Sequence, residues 1–178
     1  MQRPTIALRV AVFVLSASIA THTAVADALP HIVYILADDL GYGDPGCYNS
    51  QSKIPTPNID QLARQGIRFT DAHSPSSVCT PTRYGIITGR YCWRTVLTKS
   101  VLDGFDPPLI EAERLTVPTL LRKHGYRTAC IGKWHLGMTW QSTSDAPLLL
   151  HGLPPRSGET IDFASPVRDG PAERGFDE

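Results

Sequence analysis

The sequence predicts an α/β fold, with a mainly parallel central sheet and helices on both faces. Three observations carry this. A short, nearly continuous apolar run rich in β-branched residues at 31–37 has the composition of a strand covered on both sides, and 67–72 and 126–132 read as further strands, the latter buried. They alternate with segments of helical period at 56–66 and 116–125, and a strand, helix, strand, helix order implies a parallel sheet with crossover helices. The first run ends on Asp38-Asp39 beside a glycine-rich bend, and the carboxyl end of a strand is where open α/β sheets hold their ligands. With 178 residues, 42% hydrophobic and 19% charged, the chain suits a single core and not disorder.

Residues 1–26 read as a secretory signal peptide, and 27–178 as the remaining domain. Arg3 and Arg9 flank the start, an apolar run covers 10–20, and Ala24-Val25-Ala26 offers a small-residue cleavage site. The run is too short for an ordinary membrane span, so no stable anchor is expected. Export to the periplasm or extracellular space, with cleavage near Ala26, follows. The leader carries two arginines and no acid, so its loss leaves a slight acidic excess. No clustered basic face points to nucleic acid. The cysteines Cys47, Cys79, Cys92 and Cys130 lack the paired spacing of zinc sites, and an exported chain could pair them as disulfides.

After the first strand, adjacent Asp38 and Asp39 are costly unless solvated or neutralised. A hard cation such as calcium or magnesium would neutralise them; two exposed turn aspartates are the plainer reading of the same residues. Thr56 then caps a helix with Pro57 in its first turn, Ile59, Leu62 and Ala63 on one face, and Gly66 as its stop. A second strand over 67–72 feeds the loop 74–78.

Cys79 comes next, just before a predicted helix in which Thr80 caps, Pro81 takes the first position, and the end falls near Thr88. A helix amino end favours a tetrahedral anion, and Arg83 follows about one turn later. On residue type the position suits either a nucleophile beside an anion pocket or a small apolar residue at a loop-to-helix junction. Residues 91–113, interrupted by Pro107-Pro108, read as a surface excursion; Trp93 of Cys92-Trp93-Arg94 reads as local packing ahead of cleft lining. Thr116 caps the next helix, with Pro118 near its start, His124 at its end and Gly125 as its stop. In the strand after it, Cys130 is expected in the core.

Gly132-Lys133-Trp134-His135-Leu136-Gly137 follows. In extended chain Lys133 and His135 point the same way, an ammonium and an imidazole together, with Trp134 opposite. A solvated loop is the alternative. Beyond Met138 the chain is rich in Pro, Gly, Ser and Asp and reads as loop.

Cys79-Thr80-Pro81-Thr82-Arg83, followed by Thr88-Gly89-Arg90, resembles the signature of the sulfatase family. Residues 37–43, the 132–137 segment and Arg174-Gly175-Phe176-Asp177 resemble further family segments, and the flavour is nearest the arylsulfatase A-like branch. The resemblance implies an alkaline-phosphatase-like sandwich and hydrolysis of sulfate esters, aryl sulfates or sulfated glycans. It implies that Cys79 is oxidised to formylglycine by a formylglycine-generating or sulfatase-maturating enzyme, and that the hydrated aldehyde is the nucleophile. It implies calcium, ahead of magnesium, held by Asp38, Asp39 and the modified Cys79. Arg83 would orient the nucleophile, and Lys133 and His135 would be catalytic, substrate-binding residues. Only the amino-terminal part of the family pattern is matched, so the fold is expected to be incomplete and the chain alone inactive. Two other readings stand beside this: a phosphomonoesterase or phosphodiesterase of the same superfamily, and a catalytically incomplete exported fragment.

Overall fold

A computed structural model of the chain describes residues 29–143 and 161–178. The leader and the stretch 144–160 of the loop after Met138 lie outside the described residues. The chain divides into two units, Met1–Ile32 and Val33–Glu178, and the elements named below belong to the second.

Helix α1 spans Pro57–Gln65, α2 spans Cys79–Thr88 and α3 spans Val117–Lys123, with 3-10 turns at Cys92–Arg94 and Ala172–Arg174. Proline in the first turn starts α1 and α3 where the sequence expects them, because its missing N–H has no intrahelical partner to lose. Thr116 caps α3 as expected, its hydroxyl accepting from the N–H of Thr119. Thr56 precedes α1 but does not cap it. Its hydroxyl accepts from Gly46 N–H (2.8 Å) and donates to Asp60 (3.0 Å), tying α1 to the preceding loop. The apolar face of α1 is not covered: Ile59 and Leu62 are exposed.

The expected central sheet does not form among the described residues. Their only β pairings are the isolated antiparallel bridges Thr139 to Arg168 and Ser142 to Ile161. Apolar side chains of the three predicted strands stand in solvent: Val33, Tyr34 and Ile35, then Ile67 and Phe69, then Ile131 at 98% exposure. The physical reason is that an apolar run shows which faces seek cover but does not supply the neighbouring strand or the covering layer. The run at 126–132 finds hydrogen bonds at the chain's last residues instead. Thr128 carbonyl accepts from Asp177 and Glu178 N–H, and Cys130 N–H donates to Glu178 carbonyl (2.8 Å). Cys130 is therefore half-buried and not a core residue, although burial still pushes its thiol pKa up.

The core sits elsewhere. Tyr84 of α2, Cys92, Leu97, Leu102, Leu109, Ile110 and Leu136 form one buried cluster, with Ile87 and Trp134 packed against it. Most of these residues come from 91–113, which corrects the expectation of a surface excursion there. Pro107-Pro108 interrupts the periodicity without turning the chain outward, and irregular backbone buries apolar side chains once its polar groups are satisfied. Leu109 N–H bonds Leu136 carbonyl (2.9 Å), and Met138 N–H bonds Asp106 carbonyl (3.1 Å). The 132–137 segment is thereby docked on the core. Trp93 does pack locally, stacked on Tyr91 with ring centroids 5.9 Å apart.

Candidate active site

Helix α2 sets the position of Cys79. The helix begins at Cys79 itself, two residues earlier than expected: Val78 is the extended N-cap residue and no side chain caps the end. Thr80 does not cap because its hydroxyl is engaged elsewhere, donating to His135 carbonyl (3.0 Å). The loop before the helix is tied down by the Thr82 hydroxyl, which donates to Ser76 carbonyl (2.7 Å). Pro75 lies so close to α2 at Gly85 that a Cβ there would meet the ring at 2.6 Å.

Cys79, Arg83, Asp38 and Asp39 line one cleft of about 320 Å³, with Ser76 and Thr82 among the other walls. A larger hollow of about 410 Å³, lined by Cys47, Asp60, Arg64 and Arg68 among others, contains none of the predicted site residues. Arg83, largely buried, donates to Lys133 carbonyl and reaches Asp38 at 3.5 Å. Lys133 joins through its ammonium, 2.8 Å from the same Asp38 oxygen. That hydrogen bond holds the Asp38 carboxyl below the ordinary carboxylate range, helped by the charges of Lys133, Arg83 and His135. The same bond raises Lys133.

His135 is brought near but not as expected. The 132–137 segment is not an extended chain: His135 has φ 56°, between Gly132 at φ 100° and Gly137 at φ 75°. The alternation that would set Lys133 and His135 side by side is therefore broken. The His135 ring instead has Nε2 2.7 Å from Leu102 carbonyl, and its Nδ1 is buried without a hydrogen-bond partner. Sequence reasoning missed Thr80 and Leu102 as parts of this arrangement. A threonine near a helix start looks like a cap, and a backbone carbonyl has no residue type to announce it.

Two adjacent carboxylates in one cleft fit a hard divalent cation in donor type, and they supply part of the roughly six to eight oxygens calcium takes. No group of three His, Cys, Asp or Glu side chains converges for a metal among the described residues. Asp38 is already paired with Lys133. The fit is one of donor chemistry and shared cleft, with the remaining ligands to come from elsewhere.

Cys79 at the amino end of α2 thus shares a cleft with Asp38, Asp39 and Arg83, and Lys133 is tied to that group through Asp38. The family model described as Sulfatase matches residues 30–177, and the chain belongs to the sulfatase family. It is 45% identical over 109 residues to the N-acetylgalactosamine-6-O-sulfatase of Bacteroides thetaiotaomicron, covering 61% of this chain and 21% of that protein. It is 49% identical over 109 residues to human arylsulfatase A, with the same coverage. A solved protein described in connection with glycosaminoglycan metabolism by Bacteroides thetaiotaomicron superposes with TM-score 0.67 at 36% identity, over 83% of this chain and 27% of that one. The solved structure of Ps i-CgsB superposes with TM-score 0.57 at 31% identity, over 80% of this chain and 26% of that one. The chain spans about a fifth of the length of the curated relatives it matches. Among the described residues no helix is long and apolar enough to cross a membrane.

Proposed function

We propose that this chain carries the nucleophile side of a sulfatase active site and serves the hydrolysis of sulfate esters, aryl sulfates or sulfated glycans. The observation that supports it best is the single cleft shared by Cys79, Asp38, Asp39 and Arg83, with Cys79 as the first residue of α2. A sulfate placed there meets unpaired backbone N–H groups at the helix end, the Arg83 guanidinium and, once released from Asp38, the Lys133 ammonium. Donors fixed where negative charge develops contribute a few kcal/mol each. Arg83 suits the task because it is held from two sides, by Lys133 carbonyl and by Asp38, and so loses little freedom on binding.

Cys79 is the modified residue in this reading, converted by a maturation enzyme after synthesis; formylglycine would supply a hydrated aldehyde as the attacking oxygen. Asp38, Asp39 and the modified Cys79 would hold calcium, which when bound polarises oxygens at the reacting centre. His135 would contact the ester region in this reading; its ring is anchored through Nε2 to the Leu102 carbonyl, and Nδ1 is buried, so that contact requires the cleft to open towards the ring.

The test is mass spectrometry of the tryptic peptide 69–83 from protein secreted by a maturation-competent host. The expected peptide is about 18 Da lighter than the thiol form. An unmodified thiol throughout the sample, or sulfate-ester turnover unchanged by Cys79→Ala in the full-length protein, overturns the reading.

A further inference from the structure

One buried hydroxyl joins the segments around the cleft. Thr80, next to Cys79, is 0% exposed. Its Oγ1 donates to His135 carbonyl (3.0 Å) and accepts from Leu102 N–H (3.2 Å), partners 55 and 22 residues away. A hydroxyl has one proton and two lone pairs, so it makes both bonds at once. Its position at the start of α2 contributes nothing to capping, because Val78 is the N-cap residue and no side chain caps the end.

The same two partners meet again through the imidazole. His135 Nε2 lies 2.7 Å from the carbonyl of Leu102. A carbonyl only accepts, so Nε2 carries the proton, and in the neutral ring Nδ1 is left as a lone pair. His135 also has φ 56°, a left-handed conformation that a side-chain-bearing residue keeps only when its surroundings impose it.

We propose that Thr80 is a positioning residue. Its hydroxyl clamps the backbones of His135 and Leu102 together, holds His135 in the left-handed conformation, and aims the Leu102 carbonyl so that the imidazole stays in its Nε2–H tautomer with Nδ1 free. Valine at this position keeps the volume but removes both bonds, and leaves Leu102 N–H buried without a partner. Serine keeps both. The consequence for turnover rests on the sulfate-ester reading; the tautomer lock does not.

Nitrogen-resolved NMR of the imidazoles reads the lock directly in the chain itself. The expected result is a single Nε2–H tautomer for His135 in the wild type, a tautomer mixture in Thr80→Val, and restoration in Thr80→Ser. A wild-type ring that is Nδ1–H or already mixed overturns the proposal, even if Thr80→Val fails to fold. So does Thr80→Val with the tautomer unchanged, or Thr80→Ser behaving like valine. In the full-length protein, Thr80→Val lowers kcat for a sulfate ester by about tenfold or more with KM little changed, and Thr80→Ser rescues it. A wild-type protein without sulfate-ester turnover overturns the functional reading, while the NMR result still decides the role of Thr80.

Discussion

Lys133 Nζ lies 2.8 Å from Asp38 Oδ2, an ion pair closed between residues 95 apart in sequence. Arg83 approaches the same oxygen at 3.5 Å from the opposite element, α2. One carboxylate thus gathers both cations. Asp38 is therefore engaged from two sides, and Lys133 or Arg83 must shift before its Oδ2 can take another partner.

Replacing Lys133 by methionine frees that carboxylate oxygen for a metal. The pair is partly solvent-open, so its coupling is modest, and Lys133→Met is expected to tighten binding of calcium or terbium by roughly two- to fivefold. Terbium luminescence on the purified chain measures it, with Lys99→Met as a charge-matched control. Equal tightening in both variants would mean that net charge, not the contact with Asp38, sets the affinity.

Thr116 stabilises two elements with one side chain. Its hydroxyl accepts from Thr119 N–H at the start of α3 and donates to the Arg174 carbonyl (2.6 Å), and the residue is 2% exposed. Thr116→Ala removes the cap and the shorter of two hydroxyl bonds to the Arg174 carbonyl, leaving only the longer one from Thr119 (3.4 Å), a loss of about 1–2 kcal/mol. Thr116→Ser retains both bonds and should lie close to wild type. Urea denaturation midpoints for the two variants decide the matter, and an alanine variant as stable as the serine one would refute it.

These cases separate what was legible in the sequence from what was not. Helices α1 and α3 were readable because proline at the start and glycine after the end act within a few residues. The membership of Asp38, Cys79, Arg83 and Lys133 in one region was also readable, through residue types in a family-like order. Their mutual geometry was not, because the contacts of Asp38 with Lys133 and of Thr80 with His135 span long stretches of chain. The 91–113 segment shows the opposite failure. Its leucines and Ile110 were present to be counted, but without a period they gave no sign that the segment would form the core. The sheet depends on ladder partners and covering layers, which no single run specifies.

Acid should loosen the end of the chain through Asp177. Its carboxylate accepts from Thr128 N–H (2.9 Å) and pairs with Arg122 (3.1 Å). The Thr128 N–H, first of all, holds Asp177 below the ordinary carboxylate range. A group whose folded pKa is depressed contributes stability that is full above its unfolded value, about pH 4, and is lost as pH falls through the folded value. Asp177→Ala is therefore expected to melt below wild type at neutral pH, with the gap narrowing below about pH 4. A gap that widens on acidification would contradict this sign.

Glycine 137 closes the segment that carries Lys133 and His135, and its cost of substitution tests how tightly that segment is docked. Gly137 and Gly89 share a left-handed backbone, φ 75° and 66°. Their surroundings differ. A Cβ at Gly137 would stand 2.0 Å from the carbonyl oxygen of Pro107 and 2.6 Å from its carbon, whereas nothing lies within 4 Å at Gly89. At Gly89 an alanine meets only the conformational penalty, about 1 kcal/mol. At Gly137 it must also push apart two backbones that are joined by the bond between Leu109 N–H and Leu136 carbonyl, so a loss of about 3 kcal/mol or more is expected. Thermal and urea unfolding of the two alanine variants compare the costs directly. Because the clash is with backbone, no rotamer change can relieve it, and the 132–137 segment can accept the methyl group only by lifting from Pro107. Similar costs at the two positions would show that this segment is not held against 107–109 as described, and would remove the support on which the placement of Lys133 and His135 depends.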